Sequence, residues 1–280
     1  MGLMLTTSTD HQVSYAVGDI HGRLDLLELA LTLIEDHARG LKTLIVFLGD
    51  YVDRGPSSRQ VVERLMRLQR DEGAVCLKGN HEDLMVRAFT ESRSRDFSRW
   101  RACGSESTLR SYGASDDADA MAVVPRDHIH WLARLPLTTA DPRRLYVHAG
   151  LMPNTPFRDQ SETTFLWVRE AFLRARSKDF ELHIVHAHTP LWEGKPDASL
   201  PELLSHRTNL DTAAFASGVL TVGVFEPASA GGPVDILTAR GEPAPYPLAE
   251  IVGPPEPNNQ LAGARGPTFR AISAIRRGRE

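Results

Sequence analysis

Hydrophobic and polar residues follow one another along the first part of the chain in blocks that predict alternating strands and helices. Three apolar, β-prone runs predict strands: Val13–Val17, Lys42–Leu48 and Ala74–Leu77. Two segments with apolar residues at helical spacing lie between them, Leu24–Ala38 and Ser57–Gln69. The order strand, helix, strand, helix, strand is typical of a parallel α/β sheet, which we expect over roughly the first 85 residues.

The pattern is less regular in the rest of the chain. Glu91–Ala120 is polar, and we expect helices and loops there. Strands are predicted again at Leu145–His148, His183–His188 and Val219–Phe225. Pro233–Ala239 is expected to pair with the last of these as an antiparallel edge strand.

The composition changes towards the end of the chain. With 280 residues, of which 41% are hydrophobic and 24% charged, the whole has an ordinary globular composition. From about Gly241 onward it is rich in Pro, Gly, Ala and Arg and shows little periodicity. We therefore predict one folded domain over residues 1–240 and a largely extended or disordered tail over residues 241–280.

Charge, cysteine content and the start of the chain indicate which partners and which cellular compartment we expect. A net charge of −4 gives no basic footprint, so we expect neither nucleic acid nor a membrane surface as a partner. Cys76 and Cys103 form neither a disulfide framework nor a CxxC pair. The start of the chain lacks the charged and apolar regions of a signal peptide. These features together predict a cytoplasmic protein.

Charged and polar side chains follow the first three predicted strands, at the point where each strand ends. The turns read GDIHG, GDYVDRG and GNHE. Because the carboxyl ends of neighbouring parallel strands meet at one edge of a sheet, where ligands bind, we expect these side chains to converge. They are Asp19, His21, Asp50, Asp53, Arg54, Asn80 and His81.

Two later strands end in the same way, with His148 in HAG and His188 in HTP. Burying isolated carboxylates is costly, so a positive partner is expected beside them. Carboxylate, imidazole and amide groups suit divalent Mn, Fe or Zn. Asp50 lies in the middle of the set and is placed to bridge two ions about 3.5–4 Å apart.

Each of these residues also has a plain structural explanation. An Asp after a Gly at a strand end is most often a turn residue, and a lone His in an apolar context is most often a core residue. Five such turns that together supply a complete ligand set are poorly explained in this way, and we therefore predict a metal site.

The motifs GDIHG, GDYVDRG, GNHE, HAG and HTP, in this order, resemble the phosphoprotein phosphatase family of binuclear metallophosphoesterases. The bacterial and phage-type serine/threonine phosphatases are the most similar branch, and RTNLDT at residues 207–212 extends the likeness. The resemblance implies an α/β fold in which two mixed β-sheets pack as a sandwich flanked by helices.

The resemblance also implies roles for individual residues. Asp19 and His21 would bind the first metal, with Asp50 bridging to the second. The metal ligands implied in full are Asp19, His21, Asp50, Asn80, His148 and His188. His81 would be the general acid, oriented by Asp53, while Arg54, Arg169 in the WxRE-like segment FLWVRE, and Asn80 would bind the substrate.

Two positions depart from the family pattern. Ala187 replaces the usual glycine before His188, and we expect it to shift that turn or to demand a different backbone angle. The additional His186 is expected to be structural, with a hydrogen bond to a ligand or competition as a ligand as the alternatives. Ala213 replaces the glycine after RTNLDT, where we expect a smaller effect.

The function implied is the hydrolysis of phosphomonoesters by two divalent ions, with Mn favoured and Fe or Zn as alternatives. A hydroxide bridging the ions would attack phosphorus in line, and His81 would protonate the leaving group. The substrate would be a phosphorylated protein or a small phosphoester, and the full DYVDRGP and GNHE motifs favour a serine/threonine protein phosphatase. The alternatives are a diadenosine tetraphosphate hydrolase of the same superfamily and a binding module without activity.

Overall fold

The computed structural model describes residues 11–90, 93–115, 117–229 and 231–246. Its first part alternates strands and helices as the hydrophobic pattern predicts. The elements are β1 (Val13–Val17), α1 (Leu24–Ala38), β2 (Thr43–Phe47), α2 (Ser58–Glu72) and β3 (Val75–Cys76). Strands β1, β2 and β3 pair in parallel, which confirms the predicted βαβ arrangement.

A block of short helices follows β3 and covers the region predicted as helices and loops. It comprises α3 (Asn80–Thr90), α4 (Arg93–Arg101), α5 (Glu106–Tyr112), α6 (Asp117–Val123) and α7 (Arg126–Arg134). The GNHE motif forms the first turn of α3, so its residues are held by a helix and not by a loop.

The second half of the described chain contains the remaining strands. These are β4 (Thr138–Ala140), β5 (Arg144–Val147), β6 (His183–His186), β7 (Glu202–Leu203), β8 (Arg207–Asn209), β9 (Val219–Phe225) and β10 (Asp235–Arg240). Between them lie α8 (Glu162–Trp167), α9 (Glu170–Leu173) and α10 (Ala214–Ser217), with two 3₁₀ turns at Phe157–Asp159 and Ser177–Asp179. The predicted strand at His183–His188 ends at His186, and His188 lies in the turn that follows.

The strands form two mixed sheets of five strands each. The first has the order β10-β9-β1-β2-β3, and the second β4-β5-β6-β8-β7. Strand β9 pairs antiparallel with both β1 and β10, which confirms the predicted antiparallel edge. In the second sheet the parallel strands β5, β6 and β8 are flanked by antiparallel edges at β4 and β7. The architecture is the α/β fold with two mixed sheets and flanking helices that the resemblance implies.

Both faces of β1 and β9 in the first sheet are buried, which explains why these strands are largely apolar runs. On one face Tyr15, Val17 and Phe47 belong to a large core that also contains residues of α1 and α2. On the other face Ala16 and Val46 join a smaller apolar cluster with residues of the second sheet, among them Tyr146 and Val185. Alternate residues of β1 therefore face the helices and the second sheet.

The predicted tail begins within the described chain. The backbone N–H groups of Gly241 and Ala244 donate to the carbonyls of Gly218 and Ala216, so this segment lies along α10. Residues 247–280 are outside the described part, and the domain boundary at residue 240 stays a prediction. No helix in the described ranges has the length and apolar character needed to cross a membrane.

Candidate metal centre

The structure brings together the side chains that follow the strands. Asp19 and His21 come after β1, Asp50 after β2, Asn80 and His81 at the start of α3, His148 after β5, and His188 after β6. Two groups have potential ligand atoms that all lie within 4.8 Å of one another: His21, Asp50 and His81, and Asp50, His148 and His188. Asp50 belongs to both groups, the position expected of a bridging ligand.

Distances around the Asp50 carboxylate support this position. Its Oδ2 lies 3.6 Å from Nε2 of His21, and its Oδ1 lies 3.4 Å from Nε2 of His148. Oδ1 also accepts a 3.1 Å hydrogen bond from the backbone N–H of His81. Each oxygen of the carboxylate thus faces a different part of the centre.

Two backbone carbonyls determine how His21 and His148 present their rings. Nδ1 of His21 is 2.8 Å from the carbonyl of Val52, and Nδ1 of His148 is 2.9 Å from the carbonyl of Leu48. Because a carbonyl only accepts, each Nδ1 carries the proton and each Nε2 presents a lone pair towards Asp50. Burial lowers the pKa of both histidines, which keeps the rings neutral and able to bind a cation. The lone pair of His148 faces the oxygens of Asn80 and Asp50, which fits a divalent cation between them. The lone pair of His21, by contrast, also lies 2.9 Å from an Nη of Arg54.

Asp19 and His188 contribute further polar atoms that fit a cation. Within the described part of the chain, Oδ1 of Asp19 and Nε2 of His188 are buried without a hydrogen-bond partner. Nδ1 of His188 lies 3.2 Å from Nε2 of His148, a pair of ring nitrogens that needs a shared proton or a cation. Burial, with Asp211 and Asp50 adding to it, raises the pKa of Asp19 well above its ordinary value. The donor set of carboxylate, imidazole and amide suits Mn, Fe or Zn.

Asn80 contacts the second group directly. Its Oδ1 lies 2.9 Å from Nε2 of His148, the atom that also faces Asp50. Asn80 is therefore placed where the resemblance implies a ligand.

Backbone strain directs several of these side chains. His21, Asp50, Asp53, Arg54 and His188 have φ angles between 44° and 74°. This left-handed region costs a residue other than glycine on the order of 1–2 kcal/mol. The fold tolerates this cost in free energy because these turns bring the side chains together in the candidate centre.

The two alanines that replace family glycines, Ala187 and Ala213, behave differently from the expectation. Ala187 is not among the described residues with a positive φ, because the strained angle falls on His188, so alanine fits there without strain. Ala213 adopts φ 48° and ψ 50°, where glycine is favoured, so this replacement carries strain that we did not expect. His186 lies 3.2 Å from the Arg207 guanidinium and edge-on to Phe172, which supports the structural interpretation.

Glu82 has a role that we did not predict from its place in GNHE. One carboxylate oxygen accepts hydrogen bonds from the backbone N–H groups of Asp50 and Gly79, at 2.8 and 2.9 Å. The other accepts from Tyr51 and Val52, at 2.8 and 3.3 Å. Burial and the nearby Asp50 raise the pKa of Glu82 to about 8. Glu82 thus holds the turn that carries Asp50, and its place in GNHE, six residues after the end of β3, was the available signal.

His81 and Asp53 form a buried pair at the side of the centre. Nδ1 of His81 lies 2.7 Å from Oδ2 of Asp53, and its Nε2 lies 3.8 Å from Oδ2 of Asp50. Trp100 and Thr108 donate to the Asp53 carboxylate, at 2.9 and 2.7 Å. Both donors lie in Glu91–Ala120, the region predicted only as helices and loops. No sequence motif in that region indicates that Trp100 and Thr108 contact Asp53.

Two arginines contact histidines of the centre. An Nη of Arg54 lies 2.9 Å from Nε2 of His21, and an Nη of Arg169 donates to the backbone carbonyl of His188 at 3.2 Å. The Arg54 guanidinium lies 4.4 Å from the centroid of the Phe215 ring. The backbone of Arg54 is also held, because its carbonyl accepts a 2.6 Å hydrogen bond from the Tyr246 hydroxyl. Neither aromatic contact was predicted.

Comparison with known proteins places these features in a family. The profile described as calcineurin-like phosphoesterase matches residues 15–216, which is well over half of the chain and contains all six proposed metal ligands.

Several curated proteins resemble parts of the chain. The symmetrical bis(5′-nucleosyl)-tetraphosphatase of Janthinobacterium sp. (strain Marseille) is 36% identical over 142 residues, 50% of this chain and 44% of that protein. The asymmetrical bis(5′-nucleosyl)-tetraphosphatase PrpE of Geobacillus sp. (strain WCH70) is 28% identical over 228 residues, 73% of this chain and 87% of that protein. The chain thus spans less than half the length of its symmetrical relative.

Solved structures share the fold at low sequence identity. A putative diadenosine tetraphosphatase superposes with a TM-score of 0.57 at 21% identity, covering 86% of this chain and 98% of its own. A cold-active protein-tyrosine phosphatase of a psychrophilic Shewanella species superposes with a TM-score of 0.51 at 19% identity, covering 79% and 77%. These similarities concern the fold alone.

Proposed function

The chain belongs to the calcineurin-like phosphoesterase family of metal-dependent hydrolases that act on phosphoester bonds, and we propose that it hydrolyses dinucleoside polyphosphates. This was the alternative among the expectations from the sequence. It now replaces the serine/threonine protein phosphatase as the leading candidate.

The observation that carries this proposal is that most of the curated relatives are named bis(5′-nucleosyl)-tetraphosphatases. Both symmetrical and asymmetrical bis(5′-nucleosyl)-tetraphosphatases are similar to the chain. The similarity to an asymmetrical enzyme of Oceanobacillus iheyensis extends over 230 residues, 75% of this chain and 87% of that protein. The full motif set, which first favoured a protein phosphatase, is therefore compatible with a nucleotide substrate.

The residues of the centre are suited to phosphoryl chemistry. Divalent ions bound by the six proposed ligands would supply positive charge that activates water and neutralises phosphate oxygens. Arg54 and Arg169 contact the histidines of the centre, which supports the proposal that their guanidinium groups bind phosphate oxygens. His81 presents Nε2 to the same space and is placed to move a proton at the leaving oxygen.

A second candidate, hydrolysis of phosphomonoesters such as phosphoserine, is favoured by the pair of His81 and Asp53. A nucleotide leaves as a phosphate whose pKa lies near neutrality, about 6 for a phosphate monoester. It therefore departs from phosphorus without a proton. A serine alkoxide is far more basic and needs one, and an imidazole held 2.7 Å from a buried carboxylate is a suitable donor. This observation keeps a phosphorylated protein as the second candidate substrate.

A substrate panel tests the two candidates. The full chain is stripped with a chelator, checked by elemental analysis, and reloaded with Mn, Fe or Zn, of which we expect Mn to be the most effective. Diadenosine tetraphosphate, a phosphoserine peptide and p-nitrophenyl phosphate are then compared by chromatography and phosphate release. We expect the dinucleotide to have a kcat/KM at least tenfold above that of the peptide.

The products distinguish the remaining outcomes. Two molecules of ADP would show symmetrical cleavage, and ATP with AMP would show asymmetrical cleavage. Phosphate released from the peptide alone would support the second candidate and overturn the first. If no substrate is turned over with any metal, the binding module without activity would be the remaining alternative. Full activity in metal-free protein would overturn the proposed chemistry.

A further inference from the structure

A cavity of about 290 Å³ lies directly beside Arg54 and has not been used by the chemistry described so far. Arg54, Pro56, Ser107, Arg110 and Ser111 line it. Arg54 connects the cavity to the candidate centre, because it lines the cavity and its guanidinium also approaches Nε2 of His21 to 2.9 Å.

The walls of the cavity are tied to each other by hydrogen bonds. The backbone N–H of Arg54 donates to the carbonyl of Gly104 at 3.1 Å, and Thr108 of α5 donates to Asp53 at 2.7 Å. The backbone N–H of Arg59 donates to the hydroxyl of Ser111 at 3.1 Å. Hydrogen bonds therefore hold helix α5 against the turn that carries Arg54.

The charge of the lining indicates the class of ligand. Two of the five lining residues are arginines and none is a carboxylate. Arg110 has one weak ion pair, with Glu106 at 3.7 Å, in which both side chains are largely exposed. Such an exposed pair contributes little and is readily exchanged for a ligand anion. Arginine also forms paired hydrogen bonds with phosphate oxygens.

Size and lining together define which part of a substrate would bind. Small-molecule sites usually measure about 300–1,000 Å³, so this cavity suits a fragment and not a whole dinucleotide. The lining contains no aromatic ring on which a base would stack. From these features we infer that the cavity binds a second phosphate group of the substrate's phosphate chain, next to the phosphate held at the centre. This inference rests on the proposed nucleotide substrate.

Substitution of Arg110 tests this subsite, because Arg110 is outside the metal centre. In the metal-loaded full chain, Arg110→Ala should raise the KM for diadenosine tetraphosphate roughly tenfold, and Arg110→Glu should raise it further. Arg110→Lys should keep part of the affinity. All three should leave kcat/KM for p-nitrophenyl phosphate, which has a single phosphate, within about twofold of the parent, since only a substrate with a phosphate chain reaches the cavity.

Arg59 provides a matched control. It is an exposed arginine on the adjacent helix, paired with Glu63 at 2.9 Å, and it does not line the cavity. Arg59→Ala should change the kinetic parameters for neither substrate. Equal effects of the Arg110 variants on both substrates, or no effect on either, would overturn the subsite.

An inhibition experiment separates this inference from the proposed function. Inorganic tripolyphosphate and orthophosphate are compared as competitive inhibitors of p-nitrophenyl phosphate hydrolysis at a fixed free metal concentration. We expect tripolyphosphate to bind at least tenfold more tightly, and Arg110→Ala to remove that advantage while Arg59→Ala retains it. Failure to cleave the dinucleotide would refute the proposed function alone, whereas equal inhibition by the two anions would refute the subsite.

Discussion

Nδ1 of His81 lies 2.7 Å from Oδ2 of Asp53, and this pair sits at the edge of the metal centre with both side chains buried. Because Asp53 accepts the Nδ1 proton, Nε2 is left to face the centre. Trp100 and Thr108 hold the carboxylate in turn, so the ring has one orientation. This geometry supports the proposed role of His81 as the proton donor.

Replacing His81 should affect substrates according to their leaving group. His81→Ala is expected to reduce hydrolysis of an alkyl phosphate by about 10²–10⁴-fold, the usual contribution of general acid catalysis. p-Nitrophenyl phosphate should lose far less, because nitrophenolate departs without a proton. Steady-state rates on both substrates at equal metal content measure the effect, with the exposed His130→Ala as a control. Equal losses on both substrates would contradict the role.

Replacing Glu82 should weaken metal binding without removing a ligand. Glu82→Gln replaces one accepting oxygen by an amide that cannot accept, although four backbone N–H groups converge on the carboxylate. We expect metal affinity to fall about 10–100-fold and unfolding free energy to fall by about 1–3 kcal/mol. Titration with Mn followed by thermal unfolding measures both. Glu28→Gln on α1, an exposed site, should behave as the parent, and an unchanged affinity in Glu82→Gln would argue against the role.

Removing the Tyr246 hydroxyl should loosen Arg54. Tyr246→Phe deletes the hydrogen bond to the Arg54 carbonyl and leaves the ring next to Phe215. We expect about a 3–10-fold increase in KM and in the inhibition constant of orthophosphate, which corresponds to one hydrogen bond of about 1 kcal/mol. Metal content should not change.

Tyr112→Phe is the matched control for this change. It also removes a hydroxyl hydrogen bond, to His128 at 2.9 Å, but that bond involves neither Arg54 nor a proposed metal ligand. Its KM should equal that of the parent. If both tyrosine variants shift KM alike, the effect is one of general stability.

Acid should destabilise the fold partly through His183. Burial lowers the pKa of His183 from 6.5 to about 4, and its Nε2 lies 2.8 Å from the Thr208 hydroxyl. Between these pH values the unfolded chain binds more protons than the folded one, so stability falls as pH falls. Allowing for partial solvent contact, we expect His183 to account for about 1–2 kcal/mol of that loss.

The pH effect is measured by comparing His183→Gln with the parent. Urea unfolding of metal-free protein at pH 7.5 and pH 4.5 gives the loss for each chain, and the loss should be smaller in the variant. His130→Gln, an exposed site, should lose as much as the parent. A parallel pH dependence in His183→Gln and the parent would exclude this contribution.

The first sheet could be predicted from the sequence because its signals are local. The apolar run at β1 and the helical spacing of α1 depend on residues close together in the chain, and their bounds agree with the prediction. The second sheet was expected only from the resemblance. Its strands β7 and β8 have two and three residues, too short to show a period.

The polar support of the centre could not be predicted in the same way. Trp100 lies 47 residues from Asp53 in the chain, and Tyr246 lies 192 residues from Arg54. Nothing in the local pattern around Trp100 or Tyr246 distinguishes a residue that contacts the centre from any other aromatic residue. The contact depends on how helices and the C-terminal segment pack.

By itself the sequence determined which side chains follow the strands and that β1 to β3 are parallel. It also determined that aspartate and histidine side chains converge at one edge of the sheet. Those properties follow from strand polarity and from turns encoded within a few residues. Only the tertiary structure decided that Glu82 holds the Asp50 turn, that Phe215 and Tyr246 hold Arg54, and that a basic cavity adjoins the centre. Such contacts join distant segments, and their free energy exists only after the sheets and helices have packed together.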